Sequence, residues 1–527
     1  MEYKKLGKIL GKIMILEGIL MLAPLAISFI YRESIVHILA FFIPIIVLTA
    51  MGFLLQIPKP QRNHLYPKEG FALTAMVWIV MTLFGAIPFV INGDIPNYID
   101  AFFEIMSGFT TTGSSIITDI TTLSHSSLFW RSFSHWIGGM GILVFVLIFI
   151  PESDDGSSMH LLRAESPGPQ VGKIASRMKA TTRILYLIYL GMTALQILIL
   201  CCGPLTDYNA MSQALGAQAA AAYRDDKVFI ALLTTFGCAG TGGFSVVPGS
   251  MEYFAPFAQY TVSVFLILFG CNFTLYYLLL LGKVRDVLRS EELRTYFIIL
   301  GAAVSMVFLG LVGRFEAFAQ VYTTEEAFRH SLFQTASLIT TAGYTTTDYN
   351  VWPMVSKTAL IVVMFMGAMA GSTAGGMKTS RIVIAMKGTY INVRKLINPR
   401  YVPKAKFEGK TLEQNTINDV FAFITLYFFI LVAGIFLLSF DGVNGQSLTI
   451  LSDAGTYQVQ HGFTSNFSAV LACISNVGPA FEAVGPYACY AGFNGLSKIV
   501  LSFIMLVGRL EILPVLILFN KRTWKKI

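Results

Sequence analysis

Four short stretches could coordinate an ion. They are Ser107-Gly108-Phe109-Thr110-Thr111-Thr112-Gly113-Ser114-Ser115, Gly240-Thr241-Gly242-Gly243-Phe244-Ser245, Thr340-Thr341-Ala342-Gly343-Tyr344-Thr345 and Ser475-Asn476-Val477-Gly478-Pro479. Each follows a short semi-apolar segment, at 99–106, 227–236, 326–339 and 464–474. Aligned on Gly113, Gly243, Gly343 and Gly478, they recur at intervals of 130, 100 and 135 residues. Glycine adopts φ > 0 without Cβ strain, which can turn carbonyl oxygens toward a common axis. Rings of carbonyls replace a cation's hydration shell, and Thr111, Thr112, Thr241 and Thr341 add hydroxyl oxygens. None of the four stretches contains a carboxylate. That suits a monovalent ion better than Ca²⁺ or Mg²⁺, which favour carboxylates. A single Thr/Gly loop is ordinarily only a turn; four in register are hard to explain that way.

The elements that must hold these stretches are membrane spans. Of the 527 residues 55% are hydrophobic and 13% charged, and mean hydropathy is +0.65. Soluble domains average about 25% charged residues. Apolar runs of spanning length lie at 9–30, 35–56, 70–92, 129–150, 184–203, 257–282, 296–313, 357–377, 417–440 and 494–520. Each is near the ~20 residues that cross a bilayer, and each is expected to cross once. The first is too long for a signal-peptide core, carries Glu17 and lacks a cleavage pattern.

A half-helix that enters a membrane ends part-way through it. The backbone beyond must be buried in protein or line a watery cavity. The expected fold is therefore an all-α membrane protein. Four pseudo-fourfold span–pore-helix–span repeats surround a central pore, preceded by two N-terminal transmembrane helices. The divisions fall at 1–69 for the two helices, then 70–183, 184–294, 295–414 and 415–527 for the repeats.

The net charge of +8 is unevenly spread. With the N-terminus in the cytoplasm, 29 of the 38 Lys and Arg fall on inner segments 1–12, 57–69, 151–183, 283–294, 378–414 and 521–527. Lys4, Lys5, Lys8 and Lys12, and Lys521, Arg522, Lys525 and Lys526, abut spans directly. This is the positive-inside bias, and it argues against a nucleic-acid surface. Both termini are expected in the cytoplasm. The outer side is net acidic, which concentrates cations at a pore mouth.

Other constellations carry less. Met366 to Lys378 imitates a phosphate loop, but Met377 stands where its lysine belongs and no soluble strand precedes it. It reads either as a close helix contact through small residues or as a helix broken inside the membrane, with Lys378 nearby. Arg509 lies mid-span in Gly508-Arg509-Leu510-Glu511. It either pairs with Glu511 or faces the pore as an electrostatic barrier. Arg131 and His135 read as interfacial anchors packed on a half-helix. Cys238 and Cys489 read as loop cysteines, and no CxxC spacing implies a metal or disulfide framework. Asp154 and Asp155 solvate an inner loop. No HExxH, HxH or GxSxG pattern points to an enzyme.

At these residues the chain resembles the TrkH-type potassium uptake proteins of the Trk/Ktr/HKT superfamily, over essentially its whole length. The resemblance rests on Phe109 to Ser115, Trp130-Arg131-Ser132-Phe133, Trp136 to Gly141, Thr241 to Ser245, Ala370 to Gly376, Asn476 to Pro479 and Gly508 to Glu511. It implies a K⁺-binding filter at Thr111, Thr112, Gly113, Thr241, Gly242, Gly243, Thr341, Ala342, Gly343, Asn476, Val477 and Gly478. Some Na⁺-favouring plant relatives have serine at the Gly113 position. It also implies an intramembrane gate at Gly371, Ser372, Thr373, Ala374, Gly375 and Gly376, with Lys378 and Arg509; Ala374 departs from the glycine expected in many relatives. A homodimer in the cell inner membrane is implied, seated on a cytoplasmic TrkA-type ring of nucleotide-binding regulatory subunits. No covalently bound cofactor is expected, and K⁺ is the cargo. The function expected is channel-like K⁺ uptake, with H⁺- or Na⁺-coupled K⁺ symport as the alternative. An embedded enzyme would need clustered catalytic side chains in the spans, and a receptor would have no use for four in-register half-helices.

Overall fold

The computed structural model describes residues 2–58, 66–141, 178–313, 322–398, 400, 405–453, 455–521 and 523–524. Among them, six helices are long and apolar enough to cross a membrane: Tyr3–Ile30, Ile35–Gln56, Lys68–Ile91, Thr182–Cys202, Glu291–Leu311 and Gln414–Leu438. The first two form a hairpin in which Gly11 and Gly52 approach so closely that a Cβ on either would meet the other's carbonyl oxygen, a small-residue contact of the kind that packs spans without a hydrophobic drive. The other four begin the four repeats.

Each repeat then sends a short helix back into the protein. These pore helices are Tyr98–Phe109, Lys227–Gly240, Thr324–Ile339 and Phe463–Ser475. Asn97 and Thr323 cap the first and third, each accepting a hydrogen bond from a first-turn amide, which satisfies donors a helix start leaves free. The buried faces of all four are mostly small or apolar, with Glu104 on the first, Arg329, His330 and Gln334 on the third and Asn466 on the fourth as buried polar exceptions.

The second helix of each repeat departs from one uninterrupted crossing, which for the third repeat agrees with one of the two readings of 366–378. The runs at 129–150, 257–282, 357–377 and 494–520 contain helices that stop half-way, at His125–Gly139, Pro256–Phe269, Met354–Met366 and Gly495–Arg509. The second of these turns by 90° into Phe273–Leu280. Asn272 makes that turn, its side chain accepting from the Thr274 amide to start the new helix. The fourth resumes as Leu513–Phe519 after Glu511 and Ile512, both at positive φ. Hydropathy cannot register such breaks, because the residues on either side of them are equally apolar.

Two segments between the spans carry structure of their own. Residues 204–227 contain helices Tyr208–Leu215 and Ala217–Asp225. Residues 378–414 contain the helix Thr379–Ile397 and a small hairpin pairing Lys406–Phe407 with Lys410–Thr411. A second hairpin, Ser447–Ser452 with Gly455–Gln460, precedes the fourth pore helix. Cys238 lies inside the second pore helix rather than in a loop, and all six cysteines are free. The Tyr3 hydroxyl donates to the Trp524 carbonyl at 3.0 Å, so both ends of the chain meet on one side. The second half of the 129–150 run, Asp154, Asp155, Arg522, Lys525 and Lys526 lie outside the described residues.

Candidate ion-conduction site

All four pore helices end in the same turn. The amides of Thr111, Thr241, Thr341 and Asn476 reach back three residues, to the carbonyls of Gly108, Cys238, Leu338 and Cys473 at 3.0–3.3 Å. The next amides, of Thr112, Gly242, Ala342 and Val477, reach back five, to Ser107, Gly237, Ser337 and Ala472 at 2.8–2.9 Å. This pair of bonds is the Schellman motif, whose left-handed residue is usually glycine. Here three threonines and an asparagine hold it, at φ of 54°, 54°, 59° and 57°. A β-branched residue in that region is an outlier that costs on the order of 1–3 kcal/mol. Its repetition at four equivalent positions marks a feature held in place by its surroundings.

Two residues on, Gly113, Gly243, Gly343 and Gly478 have φ of 81°, 65°, 83° and 94°. A Cβ on Gly113 would collide with the carbonyl oxygen of Gly242. On Gly243 it would strike that of Ala342, on Gly343 that of Val477, and on Gly478 that of Thr112. The contacts run from repeat to repeat and close on the first. The expected filter residues are thus brought together as one ring. Thr112, Gly242, Ala342 and Val477 each supply a carbonyl to it, against which the neighbouring glycine packs.

The ring is cross-braced. Asn476 Nδ2 donates to Thr112 Oγ1 at 2.9 Å, tying repeat four to repeat one. The Tyr344 hydroxyl donates to the Thr234 carbonyl at 3.1 Å, tying three to two. His135 bridges one and two: its Nδ1 lies 2.9 Å from the Gly108 carbonyl, and its Nε2 accepts from the Phe244 amide at 3.3 Å. A carbonyl on one nitrogen and an amide donor on the other specify the neutral Nδ1–H tautomer.

Beside the ring, Arg131 pairs with Glu104 at 2.7 Å, and their side chains are 3% and 0% exposed. Glu104 also accepts from the Ser115 hydroxyl and the Ile116 amide, at 3.0 and 2.9 Å. Arg131 donates to the Ser245 carbonyl at 3.3 Å and lies 4.2 Å over the Phe244 ring. Arg131 and His135 are buried braces, not interfacial anchors. Packing against the half-helix outweighs any pull toward the lipid headgroups, because each side chain finds polar partners inside the protein.

The stretch between Met366 and Thr379 is a loop, with Gly367, Gly371, Gly376 and Lys378 at positive φ. It lies against the ring: the Gly375 amide donates to Thr341 Oγ1 at 2.7 Å, and a Cβ on Gly375 would meet the Ser475 carbonyl. Lys378 Nζ bonds the Ala374 carbonyl, and Ser372 Oγ donates to the Met369 carbonyl at 2.7 Å. Of the two sequence readings, the broken helix is the one observed. Arg509 donates to the Thr373 carbonyl at 2.7 Å and to the carbonyls of Gly138 and Gly139 at 2.5 and 2.8 Å. It therefore ties the loop of repeat three to the helix end of repeat one. Glu511 is engaged by Arg381 instead.

Against known proteins, the model of the TrkH family, described as a cation transport protein, matches residues 37–526. The chain belongs to the TrkH family. It is 32% identical over 535 residues to the Trk system potassium uptake protein TrkH of Vibrio parahaemolyticus, covering 100% of both chains. It is 29% identical to the TrkH of Escherichia coli K12, again over 100% of both. The crystal structure of the potassium transporter TrkH from Vibrio parahaemolyticus matches with a TM-score of 0.81 and 29% identity across both full chains. TrkH proteins are transporters rather than enzymes. Among the described residues, no group of three or more His, Cys, Asp or Glu could hold a metal ion.

Sequence reasoning missed Glu104 in this TrkH chain. A signal was present: of the two carboxylates in the half-helix Tyr98–Phe109, Glu104 lies a turn deeper than Asp100 and needs a cation at depth, and Arg131 is the deep cation of the same repeat. Glu292, at the start of the third repeat's first helix, gave no such signal. Its partners are backbone amides of a distant loop and of the helix that follows it.

Proposed function

We propose that this chain is a potassium-selective, channel-like uptake protein that passes K⁺ through the four-repeat ring into the cell. The observation that carries the proposal is the closed circuit of four identical turns, each glycine packed on its neighbour's carbonyl. Such a circuit presents carbonyl dipoles without fixed charge, the chemistry that replaces water around a monovalent cation. The relatives named as potassium uptake proteins point to the same ion. An inside-negative potential supplies about 2.3 kcal/mol per charge per 100 mV.

The loop 371–376, with Lys378, is the gate, and Arg509 clamps it. Its amide on Thr341 and its approach to the Ser475 carbonyl support this reading, because they set the loop against the ring. The lysine-rich inner segments and the meeting of the two chain ends support termini in the cytoplasm, and the family suggests the cell inner membrane. A homodimer and a TrkA-type nucleotide-binding regulatory ring on that face complete the reading.

The test is cation flux into liposomes holding the purified protein under an imposed potential, with K⁺, Rb⁺ and Na⁺ compared and pH varied. Potential-driven K⁺ and Rb⁺ flux above Na⁺, without proton movement, is expected. Flux that requires H⁺ or Na⁺ would make the protein a symporter, and equal K⁺ and Na⁺ flux would sink the selectivity.

A further inference from the structure

The loop's tip touches the ring, but its two feet are held by one carboxylate. Glu292 Oε1 accepts from the Ala370 amide at 2.8 Å and from the Ser380 amide at 3.1 Å. Its side chain belongs to the span Glu291–Leu311 and is buried, 5% exposed. A carboxylate that accepts from backbone amides makes bonds about twice as strong as neutral ones. One oxygen shared by both feet fixes their separation, so the loop between them cannot spread without breaking a bond.

Glu292 is itself held from the termini side. Glu408 stands at the turn of the hairpin 406–411, at φ 50°. Its Oε1 accepts from the Glu292 amide and from Ser290 Oγ, both at 2.9 Å. Ser290 caps the same helix by accepting from the Leu293 amide. Lys387, on the helix that follows the loop, donates to the Lys406 carbonyl at 2.6 Å and pairs with Glu291. The hairpin, the start of the span and the helix leaving the loop are therefore joined at one point.

We propose that Glu292 is a positioning residue that latches the loop in its seated state, and that Glu408 sets Glu292, making the hairpin 406–411 a lever through which a change on the termini side reaches the loop. This rests on the reading of the loop as a gate, deepens it, and can fail separately from it.

The test uses the full-length protein. Hydrogen–deuterium exchange is followed in peptides covering 368–382, and K⁺ flux is measured in liposomes without any partner. Glu292→Ala should speed exchange in 368–382 at least tenfold, leave the first pore helix at its original rate, and raise K⁺ flux at least threefold. Unchanged exchange in 368–382, or equal acceleration in the pore helix, would overturn the latch. Faster exchange with unchanged flux would uphold the latch and refute the gate. Glu292→Gln keeps a neutral acceptor and guards against misfolding of the alanine variant. It should speed exchange two- to threefold, and exchange equal to the parent's would count against the latch. Glu408→Ala should act in the same direction, and the double variant should do no more than Glu292→Ala alone; fully additive effects would break the relay between them.

Discussion

The two halves of each repeat follow different rules. On the ring side, four segments with different residues adopt one conformation: the same reach-back bonds, the same left-handed residue, the same glycine against the next carbonyl. On the termini side the repeats diverge. One bends by 90° at Gly270 to Asn272, one dissolves into the loop 367–378, and one breaks at Glu511 and Ile512. Equivalence is what the proposed filter needs, where four carbonyls must meet one ion at equal distance. The proposed gate needs the opposite, a single segment that can move while its counterparts stay put. The charges follow this division: the ring is braced by a closed ion pair, whereas the loop is held by bonds from Glu292, Lys378 and Arg509 to its backbone.

This contrast can be broken from either side. The largest effect is expected for Arg131→Ala, which leaves Glu104 buried without its cation. Removal of one partner of a buried pair typically costs about 3–5 kcal/mol, so thermal unfolding should show a large loss of stability. Removing Glu104 as well should recover part of it, and a folded Arg131→Ala protein of parental stability would show that the brace is dispensable. Next is Gly113→Ser. Its Cβ must fit at φ 81° against the Gly242 carbonyl, and K⁺/Na⁺ discrimination in the liposome assay should fall at least tenfold. An unchanged ratio would remove the first stretch from the filter.

On the asymmetric side, deletion of Gly371 to Gly375 should raise K⁺ flux several-fold while leaving discrimination intact. A folded deletion variant with parental flux would leave the loop without a gating role. Arg509→Gln keeps polar reach but loses the charge, and flux should rise by a smaller factor, about twofold to threefold. A fall in flux would instead make Arg509 part of the conducting path.

The smallest effect concerns the segment after the third ring glycine, where Asp348 accepts from the Tyr457 hydroxyl of the hairpin that precedes the fourth pore helix, and from the Asn350 amide at 3.0 Å. Burial raises its carboxyl above the usual aspartate value, although the bond from Tyr457 opposes this. The folded state therefore binds a proton that the unfolded chain has released. Stability from this group falls as pH rises from the ordinary aspartate value through the raised one. Asp348→Asn should flatten the pH dependence of unfolding in that acidic window. A parental profile would mean that other groups set it.

Much of this architecture was legible in the chain itself. Pore helices expected at 99–106, 227–236, 326–339 and 464–474 occupy Tyr98–Phe109, Lys227–Gly240, Thr324–Ile339 and Phe463–Ser475. The span 35–56 has the bounds read from hydropathy. These follow from local causes: lipid demands a run of apolar residues of given length, and a repeated Thr/Gly signature survives as composition. For the third repeat a helix broken within 366–378 is one of the two readings the residues allow; elsewhere the sequence does not mark that the second helix stops half-way, since Gly270 resembles any other glycine in an apolar run. Nor could it choose partners for the deep charges. Arg509 takes the carbonyls of Thr373, Gly138 and Gly139 while Glu511 goes to Arg381, although the two charges lie only two residues apart. Neighbours in sequence were passed over because the turn at Glu511 and Ile512 sends the chain in a new direction. In a low-dielectric interior a charge is satisfied by whichever polar groups the packing brings within reach, and only the tertiary structure decides which those are.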